Sequence, residues 1–318
     1  MNIKDIHNLE QATKKGRTEL FRLGVGLIFM VGVMLYASMK GVQGEGTLVL
    51  VIAAAIGAYM AMNIGANDVA NNVGPAVGSK ALTLFGALVI AAIFEAAGAL
   101  LAGGEVVGTI RNGIIDPNKI ADSQTFVWLM MAALLAAALW LNVATAVGAP
   151  VSTTHSIVGA IIGAGIAASG MDLVDWGKMG EIAASWVVSP VLGGVVAAAM
   201  LYFIKRSIIY KSDMVGAAKK IVPWLIAFMG WTFGTYIILK GLNRVWKVGF
   251  LEASLMGLVV AAVCLVFTRW RLTHFKAQTE GKKSVNQLFT IPLIFAAALL
   301  SFAHGSNDVA NAVGPLAA

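Results

Sequence analysis

The sequence has almost no cysteine: Cys264 is the single one in 318 residues, and it lies inside the apolar run 255–267. One thiol excludes a disulfide framework and a cysteine-ligated metal cluster. Charge is scarce too, at 12% of residues where soluble domains carry ~25%. The deficit is filled by apolar residues, 58% of the chain, and the mean hydropathy is +0.81. Together these exclude a secreted disulfide scaffold, a disordered tail and a soluble enzyme. A membrane span takes about 20 apolar residues, so the length is enough for many spans joined by short loops. The net charge of +7 does not call for nucleic acid, because the lysines and arginines gather between apolar runs, where orientation in the bilayer explains them.

Apolar runs bounded by charge or glycine fall near 21–39, 46–64, 82–102, 126–147, 151–170, 182–204, 222–239, 250–267 and 288–303. The expectation is an all-α polytopic membrane protein of nine spans, run length being a better guide than periodicity where helices are apolar all round. The first run follows a long charged segment, which fits an uncleaved span better than a signal peptide. Basic residues cluster at Lys4, Lys14, Lys15, Arg17 and Arg22, at Lys205, Arg206, Lys211, Lys219 and Lys220, and at Arg269, Arg271, Lys276, Lys282 and Lys283. Basic loops stay inside, so all three are expected to be cytoplasmic together with the N-terminus. The loop 240–249, with Lys240, Arg244 and Lys247, then faces outward against that rule.

An internal repeat is the most informative feature. Residues 65–76, Gly-Ala-Asn-Asp-Val-Ala-Asn-Asn-Val-Gly-Pro-Ala, recur at 305–316 as Gly-Ser-Asn-Asp-Val-Ala-Asn-Ala-Val-Gly-Pro-Leu, identical at nine of twelve positions. Seven runs separate the copies. If all of them span, the chain meets the two copies travelling in opposite directions, the mark of an inverted-topology repeat with a substrate site near the membrane midplane. That parity changes if 151–170 is re-entrant. The first copy is followed by the run 82–102 with Glu95 and by Pro150-Val-Ser-Thr-Thr-His155; the second is followed by neither. The chain is therefore expected to be part of a longer protein that repeats both. The expected organisation is a charged segment and extra span over 1–45, a first transport repeat over 46–204, basic loops and connecting spans over 205–287, and the start of a second, inverted repeat over 288–318.

Within the motif, Asn67 and Asp68 lie four and three residues before Asn71, as Asn307 and Asp308 lie before Asn311, and residues so spaced on a helix are neighbours. Carboxylate and amide oxygens suit a hard cation, so these six are the candidate cation ligands. Gly74-Pro75 and Gly314-Pro315 are expected to break the helices beside them and free carbonyl oxygens. The bland alternative is a polar loop with ordinary turn residues, which duplication at this identity argues against. Glu95 stands in the middle of an apolar run. It is either a protonated glutamate bonded between helices or a group for ion coordination, coupling or gating.

Ser152, Thr153 and Thr154 follow Pro150 at an expected helix start, where free N–H groups and hydroxyls make an anion site. His155 invites a Ser–His nucleophile, but no further triad logic is visible; a histidine bonded between helices, or a coupling or gating group, fits better. Residues 74–80 superficially resemble a Walker loop, with the spacing wrong and no βαβ unit to hold it. The division of charge points to co-transport: cations on Asp68 and Asp308, and an anion on the hydroxyls and amide N–H groups.

These residues resemble the signature of the inorganic phosphate transporter (PiT) family. The resemblance rests on the duplicated motif, Phe94-Glu95, residues 108–116 and residues 150–159, and covers about 61–170 and again from about Phe295. It implies symport of inorganic phosphate with Na+ or H+ by alternating access of two inverted halves with discontinuous helices, in a homodimer. Cations would lie on Asn67, Asp68, Asn307 and Asp308, phosphate near Ser152, Thr153 and Thr154, and Glu95 would be the intramembrane glutamate needed for transport. No enzyme activity, cofactor, metal beyond Na+ or nucleic-acid partner is expected, and membrane lipid surrounds the chain. The site is expected in a bacterial cytoplasmic (inner) membrane, and the 318 residues alone are not expected to transport. Sulfate or another tetrahedral oxyanion, a passive anion channel, and an intramembrane hydrolase built on Ser152 or His155 remain as alternatives.

Overall fold

The computed structural model describes residues 3–41, 45–104, 107–108, 114–115, 119–120, 122–241, 247–274 and 281–317, with backbone alone for 3–19 and 45. Some expectations fall elsewhere. The side chains of Lys4, Lys14, Lys15 and Arg17, together with Arg244, Lys276 and most of the family stretch 108–116, lie outside the described residues.

The described chain is built of helices: α1 (Ile3–Lys40), α2 (Glu45–Gly78), α3 (Leu84–Ala102), α4 (Ser123–Ala146), α5 (Thr153–Ser169), α6 (Trp176–Ile204), α7 (Met214–Gly241), α8 (Phe250–Thr273) and α9 (Lys282–Val313). No strand occurs among the described residues; Ile115 and Val174 form an isolated antiparallel bridge. Short polar side chains start four of the helices. Thr83, Asp122, Ser152 and Asp175 each accept a bond from the backbone N–H three residues on, satisfying a donor that the helix cannot. Asp122 lies outside the membrane-spanning segments, and the backbone and hydroxyl bonds from Thr125 hold its carboxyl below the usual carboxylate range.

Eight of these helices are long and apolar enough to cross a membrane. The ninth expected span, over 151–170, becomes α5, a helix of 17 residues. At 1.5 Å per residue it is roughly 25 Å long, short of the ~30 Å hydrocarbon layer. Counting runs therefore does not fix the relative direction of the two motif copies. Conversely, α2 has 34 residues and α9 has 32, each about a dozen more than a span needs, and the motif lies in that excess.

The helix break expected at Gly74-Pro75 is absent. α2 passes through Pro75 to Gly78, and the turn closes with Ala81 and Leu82 N–H groups on the Ala76 carbonyl. Proline removes one ladder bond and need not end a helix whose other bonds hold, so the break falls a turn later. In the second copy α9 stops at Val313; Gly314-Pro315 lie in the turn closed by Ala317 N–H on the Val313 carbonyl at 2.9 Å.

The chain divides into two compact units: 1–67, 110–174 and 311–318 form the first, and 68–109 with 175–310 the second. Both divisions inside long helices fall within the motif, after Asn67 in the first copy and after Ala310 in the second. In the first unit α4 packs on α5, burying Leu134, Ala138 and Leu141 on one helix and Ile157, Val158 and Ile161 on the other. Asn142 donates to Asn63 at 3.1 Å, tying α4 to α2. In the second unit α7 and α8 approach through glycines. Gly257 faces the Trp231 carbonyl and Thr235, and Gly230 faces Cys264, close contacts that small residues permit between helices in lipid. One apolar core of this unit joins Ile208, Ala218, Val222, Val285 and Leu288; another joins Val73, Ala76, Ala87, Ala91 and Ala297.

Candidate functional site

Successive helical residues point about 100° apart, so Asn67 and Asp68 cannot serve one cluster. Asn67 belongs to the first unit. Its Nδ2 donates to Thr145 Oγ1 at 3.0 Å and, at 3.5 Å, to the Ala149 carbonyl, while its Oδ1 accepts from the Val151 N–H at 3.5 Å. It thereby holds the turn that delivers Ser152, Thr153 and Thr154 to the start of α5. A left-handed Gly148, φ +71°, and then Pro150 bend the chain between α4 and α5. Ser152 caps α5, and its carbonyl accepts from the Ser156 hydroxyl at 2.7 Å. From the second motif copy, the buried Asn311 donates to Thr153 Oγ1 at 3.2 Å and to Thr154 Oγ1 at 3.1 Å. The first unit thus gathers two asparagines, two threonines and a helix N-terminus, a set rich in donors and without a carboxylate among the named residues. His155 is exposed; its backbone N–H caps on Ser152.

The second unit holds the carboxylates. His304 lies at its centre, with Nε2 3.2 Å from Asp308 and 3.6 Å from Asp68, and Nδ1 3.6 Å from Glu95. Glu95 accepts a bond from Asn72 Nδ2 at 2.8 Å. Asp68 and Asn72 are both buried. Gly98 and Gly305 make the arrangement possible: a Cβ on Gly305 would collide with the Glu95 backbone, and one on Gly98 with the Phe302 carbonyl. Ser306 fixes the same helix by bonding Tyr236 at 2.6 Å and the Ala303 carbonyl at 2.7 Å. One ligand atom from each of Asp68, His304 and Asp308 lies within 4.8 Å of the others, close enough to hold one cation. Acids at bilayer depth are costly without a partner, so this cluster is the candidate cation site.

Asn71 and Asn307, singled out with these residues from spacing, join neither cluster. Asn71 is exposed, and Asn307, also exposed, bonds back to its own helix at the Ala303 carbonyl, 3.1 Å. Asn72, and not the candidate cation ligand Asn71, bonds Glu95: both are helical neighbours of Asp68, at i+4 and i+3. His304 escaped the sequence reading altogether. Its signal was there, an ionisable residue at the end of an apolar run and four before Asp308, on the same helical face.

Comparison with known proteins finds relatives of the whole chain. The sequence profile of the phosphate transporter family matches residues 64–318. A Helicobacter pylori (strain J99) protein provisionally named a phosphate permease is 50% identical over 319 residues, covering 100% of this chain and 60% of the relative. A Chlamydia trachomatis (serovar D) protein of the same name is 40% identical, over 85% of this chain and 68% of its own length. The chain thus spans about 60% of the length of the Helicobacter relative. A solved structure titled the sodium-dependent phosphate transporter matches with a TM-score of 0.79 and 36% identity, over 85% of this chain and 66% of that one.

Proposed function

The chain belongs to the phosphate transporter family, and from that membership we propose that it is the core of a secondary transporter that moves inorganic phosphate with a cation, Na+ or H+, across the bacterial cytoplasmic membrane. The observation that carries the reading is the separation of chemistry between two clusters, each drawing one strand of its residues from each motif copy. Asp68, Glu95 and Asp308 around His304 are the cation side; Asn67 and Asn311 with Thr153, Thr154 and the N-terminus of α5 are the anion side. An oxyanion is repelled by unpaired carboxylates. A cation held on Asp68 and Asp308 removes that repulsion, so anion and cation bind better together than alone, which is the thermodynamic content of symport. Glu95, fixed by Asn72, keeps His304 in place beside the cation site, and Ser152 keeps the first turn of α5 closed under the anion.

The protein works, in this proposal, by alternating access of two inverted halves, with the N-terminus and the basic segments on the cytoplasmic side and two copies per assembly. The resemblance to a sodium-dependent phosphate transporter favours Na+ as the coupling ion. Uptake of radiolabelled phosphate into proteoliposomes of the protein from its complete reading frame, with an imposed Na+ or H+ gradient and excess sulfate, tests it. The expected result is uptake driven by one gradient and resistant to sulfate. Uptake indifferent to both gradients makes it a channel, and competition by sulfate makes the substrate another oxyanion.

A further inference from the structure

The two ends of the second unit differ in charge. At one end Asp175, Glu181 and Glu252 balance Lys178, Lys240 and Lys247. At the other end, residues 205–220 carry five lysines and arginines with Asp213 as their acid, and the described part of 269–283 carries four with none. The core of Ile208, Ala218, Val222, Val285 and Leu288 gathers these segments at one place, with Leu272 of α8 packed against it. On the same helix, α8 presents an open apolar groove of about 480 Å³ lined by Ala262, Val263, Val266, Phe267 and Trp270. Arg269 follows Val266 by three residues and Arg271 follows Phe267 by four, so they flank the groove one turn above it, on opposite edges about 200° apart. Arg269 lies over the exposed ring of Trp224 on α7, 5.2 Å from its centroid, and Lys220 precedes Trp224 by one turn. Trp270 packs edge-on to His274, at 5.6 Å, and is itself exposed.

We propose that this face is a binding site for an anionic phospholipid: the phosphodiester lies on Arg269, with Lys220 beside it and Arg271 at the far edge of the groove, and an acyl chain lies along Val263, Val266 and Phe267. The charge selects an anion, and the groove selects one that carries a hydrocarbon chain. Exposed tryptophans beside arginines at the end of a span are the arrangement of the membrane interface, where phosphate and chain meet. Inorganic phosphate has no use for the groove, and the site shares no residue with the two clusters of the motif.

Native mass spectrometry of the delipidated full-length protein, titrated with phosphatidylglycerol or phosphatidylcholine, tests the site. Wild type is expected to take up phosphatidylglycerol at least about tenfold more tightly than phosphatidylcholine, unaffected by millimolar inorganic phosphate. R269Q/R271Q should lose that preference, and V266W should weaken binding of both lipids with every charge in place. K240Q/K247Q, at the balanced end, should bind like wild type. Equal binding of the two lipids, displacement by inorganic phosphate, or wild-type binding by both R269Q/R271Q and V266W overturns the proposal. So does a second copy of the chain that leaves when either variant is made, since the face is then a subunit interface. If R269Q/R271Q fails to fold, V266W and the lipid comparison decide the matter alone.

Discussion

The two copies of the motif are nearly the same sequence and do different things. In the first copy Asn67 is anchored on Thr145, the Ala149 carbonyl and the Val151 N–H while Asn71 is exposed. In the second, Asn307 is exposed and Asn311 is anchored on Thr153 and Thr154. The acids, by contrast, converge: Asp68 and Asp308 both reach His304. The difference shows that an asparagine of the motif acquires its role from what is packed against it. Segment 145–154 serves the third position of one copy and the seventh position of the other. The carboxylates depend on the repeat itself and on the glycine-mediated approach of α3 to α9.

If that contrast is right, breaking the converging pair should have the largest effect. Asp68→Asn and Asp308→Asn should each lower gradient-driven phosphate uptake by about 100-fold or more, since each removes a charge that the cation must meet. Equal losses in both would sharpen the comparison, and a silent Asp308→Asn would break it. Next, His304→Gln removes the imidazole that the three carboxylates share and should destabilise the protein by about 3 kcal/mol, read as a fall in its thermal unfolding midpoint; Glu95→Gln in the same background should restore part of that loss by relieving one repelled charge.

The asparagine contrast is smaller. Asn67→Ala and Asn311→Ala each delete bonds to part-buried partners and should cost roughly 1–2 kcal/mol in the 1–318 chain, whereas Asn71→Ala and Asn307→Ala there should stay within about 0.5 kcal/mol. Reversed order would mean that the anchored and exposed positions are misassigned. Smallest of all is a site outside the motif. The folded-state pKa of Asp122 is depressed by its bonds from Thr125, so its cap stabilises α4 above the ordinary carboxylate range and is lost as pH falls through the depressed value. Asp122→Asn, still a good cap, should flatten that acid dependence while leaving stability at neutral pH nearly unchanged.

Most of the architecture was legible because composition and run length are direct consequences of the bilayer. The exception, α5, failed for a physical reason: an apolar run of span-like length includes Val151, Ser152 and the residues after a proline, which the helix cannot use as its interior. Spacing singled out Asp68, Asp308, Glu95 and the Ser152 to Thr154 turn, which the fold gathers into the two clusters, because intramembrane acids and hydroxyl-rich helix starts carry their cost on their face. Spacing could not choose between Asn71 and Asn72, which are both neighbours of Asp68, since the choice depends on where α3 places Glu95. It also could not see that Gly98 and Gly305 let two backbones touch. His304 carries no repeat signal: it precedes the second copy without a counterpart, and Ile64 stands at that place in the first.

In the proposed mechanism the converged carboxylates bind the coupling cation whose presence admits phosphate. Sodium-22 entry into proteoliposomes of the full-length protein, driven by an inward phosphate gradient with no sodium gradient imposed, tests this. Phosphate-driven sodium entry is expected in wild type and none in Asp308→Asn. Phosphate entry at full rate in Asp308→Asn, or phosphate entry in wild type that carries neither sodium nor protons, would contradict it.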